Sequence, residues 1–250
     1  MNQLQCPELN HKYSIDKIIG AGSFSSIYMG RERETQQTIA IKVVQLDNHN
    51  TRDLKLLKDE AKCCQKASHI NVIRIHDVFQ TNNAIFIVMD YEKNGDLIDY
   101  LNQFRISETK ALDIFRQIVE AVANCHHNHI SHRDIKLENI LIDTNGWIRL
   151  TDFGLSIPCN DTQLISIYCG SSIYVAPEVL NYRPYNGHAA DMWSLGVLLY
   201  STLHNKHPFS VSKLLMMSNN MANIKPYVSS QWSENTRQIL VNLLQRNPKS

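Results

Sequence analysis

Residues 131–142, SHRDIKLENILI, set Asp134, Lys136 and Asn139 into a loop ahead of the strand-like run NILI, and Asp152 follows a second such run, WIRLT. Joined by a turn over 143–146, the two strands would bring Asn139 and Asp152 together. An amide oxygen and a carboxylate are hard oxygen ligands suited to Mg²⁺, which is commonly held by a few protein groups plus phosphates. Asp134 beside such an ion is a candidate general base, and Lys136 is a charge that could steady a transferring phosphoryl group. A charged cluster standing alone is more often a solvated loop, so the reading depends on what else the chain carries.

Two other patterns bear on it. The run Gly20-Ala21-Gly22-Ser23-Phe24-Ser25-Ser26-Ile27 lies between strand-like segments. Glycines at i and i+2 let a backbone approach a ligand closely, with free N–H groups facing phosphate oxygens; the same run also suits a tight hairpin. Lys42 sits inside the apolar strand TIAIKVV. An ammonium there must face a cleft or meet an acid, because burying it unpaired is prohibitive. Glu60 is the natural acid, and a lysine snorkelling to solvent from an edge strand is the alternative.

The elements that must position these groups follow from periodicity. YSIDKIIG, SIYMGRER, TIAIKVVQL and AIFIVMDY alternate with period two and predict an antiparallel sheet. Residues 52–67 place Leu56, Leu57, Glu60, Cys63 and Cys64 at helical spacing, predicting one helix packed on that sheet. Beyond Asn94-Gly95 the texture turns helical, with helices expected over 96–104, 107–129, 189–203 and 233–246. The second is opened by SETK, read as a capping box, and the last by SENTRQ. Residues 153–175 form a long aperiodic connection of the kind that is usually functional. The expected fold is α+β and bilobal: an N-terminal extension (1–12), a small antiparallel β lobe with one helix (13–91), and a larger α-helical lobe (92–250), with a ligand cleft between them.

Composition narrows the classes of partner. With 250 residues, 43% of them hydrophobic, the chain can bury a sizeable core. Its 25 Lys and Arg against 24 Asp and Glu give +1, which asks for no nucleic-acid partner and no charged membrane surface. The apolar runs, such as MWSLGVLLYSTL, fall short of the roughly 18–20 residues of a membrane span. Six cysteines without CxxC spacing, after an N-terminus lacking a signal-like apolar run, imply reduced thiols and an intracellular setting, cytoplasmic or nuclear.

GAGSFSSI, AIK, HRDIKLEN, DFG, APE and DMWSLG occur in the order and near the spacings of a eukaryotic protein kinase domain, and the resemblance runs from about Tyr13 to the end of the chain. It implies that ATP and Mg²⁺ are used. Ile19 to Ile27 would cover the phosphates, and Lys42, paired to Glu60, would bind the α and β phosphates. Asp134 would accept the hydroxyl proton, Lys136 would neutralise the γ-phosphate, and Asn139 and Asp152 would hold Mg²⁺. By the same resemblance Met89 is the gatekeeper of an Asp90-Tyr91-Glu92 hinge. Asp96 lies near the ribose, and Ala40 and Leu141 sandwich the adenine. Asp191 braces the HRD loop, and Phe153, His132, Cys64 and Ile75 stack as a spine. Lys136 in HRDxKxxN implies a Ser or Thr acceptor. DYEKNGDLIDYL, DFGLS and YCGSSIYVAPE are most similar to the calmodulin-dependent and AMP-activated branch, implying protein substrates with basic residues upstream, read by Asp96 and Glu138.

The chain also departs from the pattern. Ser25 replaces the third glycine, and Ile167 stands where related kinases carry a phosphorylated threonine that Arg133 would pair. The segment is then expected to use Ser166, Tyr168 or Thr162, or to be held by packing of Ile165 and Ile167. Resembling domains continue past LLQRNPKS with an Arg that pairs with Glu178 and one more helix. Their absence leads to the expectation of a fragment or a less stable domain. These departures leave two alternatives: a catalytically weak ATP-binding scaffold, or a small-molecule phosphotransferase. The second does not need the platform from Cys169 to Glu178 or Ser171 beside Asp134. On either phosphotransferase reading, the charges of residues 131–142 are expected to need ligand or water partners for completion.

Overall fold

The chain is described from a computed structural model covering residues 6–21, 25–46, 60–143, 145–160, 162–218 and 225–247. Five strands, β1 (Tyr13–Ala21), β2 (Ser25–Glu32), β3 (Thr38–Gln45), β4 (Ile75–Gln80) and β5 (Ala84–Asp90), form one antiparallel sheet in the order β1-β2-β3-β5-β4. Alternation divides its faces. Ile39, Ile41 and Val43 of β3 join Phe86 and Val88 of β5 in an outer apolar layer, while Ala40 and Lys42 turn to the cavity side. The β1–β2 pairing is tight at Gly30, where a Cβ would lie 2.1 Å from the Ser14 carbonyl oxygen.

Residues ahead of β1 belong to this lobe's packing. α1 (Pro7–Lys12) starts with Pro7, whose fixed φ suits a first helical turn, and it buries Cys6 and Leu9 completely in the outer layer. Its last residue and the first of β1 meet β4: Lys12 Nζ lies 2.6 Å from Asp77 Oδ2, and the Tyr13 hydroxyl donates to the same oxygen. On the sheet's other side residues 60–66 are helical, α2. The part of the expected helix that carries Leu56 and Leu57 lies outside the described residues.

The second lobe consists of α3 (Leu97–Gln103), α4 (Glu108–His127), α5 (Pro177–Leu180), α6 (Gly187–His204), α7 (Val211–Ser218) and α8 (Glu234–Leu243). Among the described residues the shorter strands form three two-stranded sheets: β6 (Ile130–Ser131) with β9 (Ile157–Pro158), β7 (Ile140–Ile142) with β8 (Ile148–Leu150), and β10 (Leu164–Ile165) with β11 (Tyr185–Asn186). α6 is buried nearly all round, as its composition requires, and is the axis of a core that runs from α2 through α4 to α8. Ser107 caps α4 by accepting from Lys110 N. The reciprocal half of a capping box is absent because position N3 is a lysine. Glu108 instead accepts from the Ser233 amide at 3.1 Å and its hydroxyl at 2.6 Å, clipping the start of α8 to the start of α4.

Candidate active site

A cavity of about 440 Å³ lies between the sheet and the helical lobe. Its upper wall follows from strand register: Ile27 pairs with Lys42, Lys42 with Ile87 and Ala40 with Met89, so their side chains share one face. Lys42 Nζ reaches Glu60 Oε1 at 2.7 Å and Asp152 Oδ1 at 2.9 Å, joining β3, α2 and the segment after β8. Gly154 permits that approach, since a Cβ there would lie 3.2 Å from Asp152 Oδ1.

Electrostatics follow from burial and these pairs. Burial favours a neutral Lys42, but the Glu60 and Asp152 charges outweigh it and raise its pKa. Burial pushes Asp152 up, and the Lys42 ammonium overcomes this and holds the carboxyl below its ordinary value. Glu60, more deeply enclosed, is pushed above the usual carboxylate range by burial despite Lys42.

The lower wall is built on Asp191, 1% exposed in α6. Its Oδ2 accepts from His132 N and from His126 Nε2, both at 2.9 Å, and its Oδ1 from Arg133 N at 2.8 Å. Arg133 is thereby held at φ 67°, a left-handed conformation that a non-glycine residue adopts only under constraint. His132 is fully enclosed, and burial lowers its pKa. Its Nδ1 accepts from Asp134 N, which leaves Nε2 to donate to Thr151 O.

These constraints present Asp134. Its Oδ1 accepts from Ser171 Oγ at 3.0 Å, and its Oδ2 from Lys136 Nζ at 2.7 Å and Asn139 Nδ2 at 3.1 Å. Lys136 Nζ also donates to Ser171 Oγ at 3.1 Å. The expectation that these charges need ligand or water partners holds in part: the loop and Ser171 satisfy Asp134 and Lys136, whereas Arg133 Nη1 is buried with no hydrogen-bond partner.

Asn139 and Asp152 suit a hard divalent cation. The Asn139 amide nitrogen is spent on Asp134, so its amide oxygen is the free end, and the Asp152 side chain is 44% exposed in the same cavity. Among the described residues no three His, Cys, Asp or Glu side chains form a metal cluster. An ion held by one amide oxygen and one carboxylate needs ligand oxygens as well, the usual state of Mg²⁺ beside phosphates.

The residues singled out from the sequence divide as follows. Ile19, Ser25, Ile27, Ala40, Lys42 and Glu60 line the cavity from above, and Met89, Asp90, Tyr91, Asp96, Asn139, Leu141 and Asp152 line its back and floor. Gly20, Ala21 and Ser26 do not line it; on β2, alternation gives Ser25 and Ile27 to the cavity side. Gly22, Ser23 and Phe24 lie outside the described residues. Asp134 and Lys136 adjoin the floor through Asn139. Asp96 has a further task, since its carboxylate caps α3 by accepting from Asp99 N at 2.9 Å. The proposed spine is partly visible: His132 and Phe153 meet edge to face at 4.8 Å, and Cys64, Ile75 and Phe153 border the cavity.

Glu92 of the expected hinge also lines the cavity, and the sequence reading missed Ile73, Ile87, Lys93, Gly95, Asp99 and Thr151 among the lining residues. The strand register could have found Ile87, which lies opposite Lys42. Past the cavity, Ile165 is buried whereas Ile167 is 58% exposed. Arg133 Nε donates to Leu155 O at 2.7 Å. Burial raises the Glu178 carboxyl's pKa.

A model of the protein kinase domain matches residues 13–250. The chain is 41% identical over 203 residues to NUAK family SNF1-like kinase 2 of Homo sapiens, covering 80% of this chain and 32% of that protein. It is 38% identical over 203 residues to NUAK family SNF1-like kinase 1 of Homo sapiens, covering 80% and 31%. It is 34% identical over 248 residues to CBL-interacting serine/threonine-protein kinase 10 of Arabidopsis thaliana, covering 97% and 51%. The chain thus spans about a third to a half of the length of these relatives, which match the branch expected from the sequence. On a match that begins at β1 and runs to the last residue, the chain belongs to the protein kinase domain family.

Proposed function

We propose that the chain is a serine/threonine protein kinase unit that moves the γ-phosphoryl group of ATP to a Ser or Thr hydroxyl of a protein. The observation that carries this reading is the Asp134 carboxylate, held by Lys136, Asn139 and Ser171 beside a cavity whose opposite wall presents Lys42. Lys42 would face the α and β phosphates, a role supported by the Glu60 pair that fixes its reach. Asp134 takes the acceptor's proton as the new O–P bond forms and the bond to the leaving ADP oxygen breaks. Lys136 steadies the charge on the moving group. Mg²⁺, held by Asn139 and Asp152, neutralises phosphate charge when bound.

Lys136 and the similarity to CBL-interacting serine/threonine-protein kinase 10 support a Ser/Thr acceptor. Asp96, Asp99 and the exposed Glu138 form an acidic edge on the cavity, which favours acceptors with upstream Arg or Lys. Six free thiols, all but Cys169 buried, support an intracellular setting, cytoplasmic or nuclear. No described helix is long and apolar enough to cross a membrane.

The test is transfer of labelled γ-phosphate from Mg·ATP to a degenerate Ser/Thr peptide library, by the unaltered chain and by Asp134→Asn. Transfer that falls at least about 100-fold in the variant is expected. ATP binding without transfer would leave a nucleotide-binding scaffold instead.

A further inference from the structure

The segment from β10 to Ser171 is held by contacts that involve no charged group on the segment itself. Leu164 and Ile165 pair with Asn186 and Tyr185. Ile165, 4% exposed, sits over Gly187, where a Cβ would be 2.7 Å from Ile165 Cδ1 and 2.4 Å from Ser131 Oγ. Tyr185, also 4% exposed, donates its hydroxyl to the Ile167 carbonyl oxygen at 3.0 Å. Farther on, Gly170 has φ +97° and runs so close to the HRD loop that a Cβ would be 2.7 Å from Arg133 O. The next residue, Ser171, reaches Asp134. Tyr185 and Ser171 are thus joined by a few residues of chain pinned at both ends, and Arg133 at the far pin is fixed to α6 by Asp191.

We propose that Tyr185 is a positioning residue for the acceptor platform. Its bond to Ile167, with Ile165 seated over Gly187, keeps residues 164–171 in register with Asp134 without covalent modification of the segment. The inference rests on the kinase reading for its catalytic consequence, but the positioning has its own readout. Tyr185 touches neither cavity nor acceptor. Its side chain also meets those of Arg133 and Cys169, so its effect on transfer runs through residues 167–171 and the HRD loop and falls on the protein acceptor, with ATP affinity left as it is.

The test uses the chain freed of phosphate by phosphatase and checked by mass spectrometry. Tyr185→Phe keeps the ring and its packing and removes the hydroxyl; Ile165→Ala loosens the second anchor independently. The expected result is transfer by the unmodified parent and a rise of about three- to tenfold in peptide KM for Tyr185→Phe, with ATP KM within twofold. That size corresponds to one neutral hydrogen bond. Amide exchange of residues 164–170 should quicken in both variants while α4 and α6 exchange as before. Unchanged peptide KM and unchanged exchange overturn the proposal. So does a parent that is inactive until Ser166, Tyr168 or Thr162 is phosphorylated. A parent that never transfers phosphate defeats the kinase reading alone, since exchange still reports whether Tyr185 holds the segment.

Discussion

Asn139 turns both of its amide hydrogens to Asp134, one to the backbone carbonyl at 2.8 Å and one to Oδ2 at 3.1 Å. One side chain thereby orients the candidate base and aims an amide oxygen into the cavity. Asn139→Ala removes both effects. The Mg²⁺ concentration for half-maximal transfer should rise about tenfold or more and turnover should fall about 100-fold. A Mg²⁺ titration of phosphate transfer decides it; an unshifted midpoint would mean that Asn139 only shapes the loop.

Leu9 is fully buried in the layer formed by Ile41, Val43, Phe86 and Val88 on the sheet face away from the cavity. Leu9→Ala should destabilise the protein by about 2–4 kcal/mol, the usual effect of truncating an enclosed leucine. Urea unfolding followed by intrinsic fluorescence measures it. A midpoint equal to the parent's would show that α1 merely lies on the lobe.

What the sequence made legible depended on repetition. β1, β2, β3 and β5 carry enough alternating positions to declare themselves, and α4, α6 and α8 enough helical turns. β4, IHDVFQ, is an edge strand with no fully buried residue, so its alternation is faint. α1 has one turn's worth of apolar spacing, Cys6 to Leu9, too little to separate from a tail. The chemistry of SHRDIKLENILI was legible because charge in an apolar run demands a partner. That the partners are Ser171 and Asp191, 37 and 57 residues beyond Asp134, is a product of tertiary packing that no local pattern encodes.

His132 sets a pH dependence. Burial depresses its folded pKa below the ordinary 6.5, so the folded state binds fewer protons than the unfolded chain as the solution becomes acidic. Its contribution is fully present above about pH 6.5 and is lost as pH falls from there toward the folded pKa, at up to about 1.4 kcal/mol per pH unit. Urea midpoints between pH 7.5 and 5.5 should decline. His132→Phe keeps a ring against Phe153 but cannot titrate, so it should be less stable at pH 7.5 and show a shallower decline. Parallel curves for the two proteins would contradict this assignment.

Lys42 links two acids of unequal burial, Glu60 with its side chain 6% exposed and Asp152 at 44%. Lys42→Met leaves Glu60 enclosed without its cation, and the loss should be about 3 kcal/mol near neutral pH, most of it from Glu60. Glu60→Gln alone should lose less, because Lys42 keeps Asp152. The double variant should recover part of the Lys42→Met loss, giving a coupling of about 1–3 kcal/mol. Burial already raises the Glu60 pKa, and removing Lys42 raises it further. The variant's folded state therefore takes up a proton, and the stability that proton confers is lost as pH rises through the elevated value. The deficit of Lys42→Met should accordingly widen with pH while that of the double variant stays level. Thermal unfolding of the four proteins at pH 5.5 and 7.5 reads both quantities, and additive single effects at both pH values would show that Lys42 and Glu60 are neighbours without a working pair.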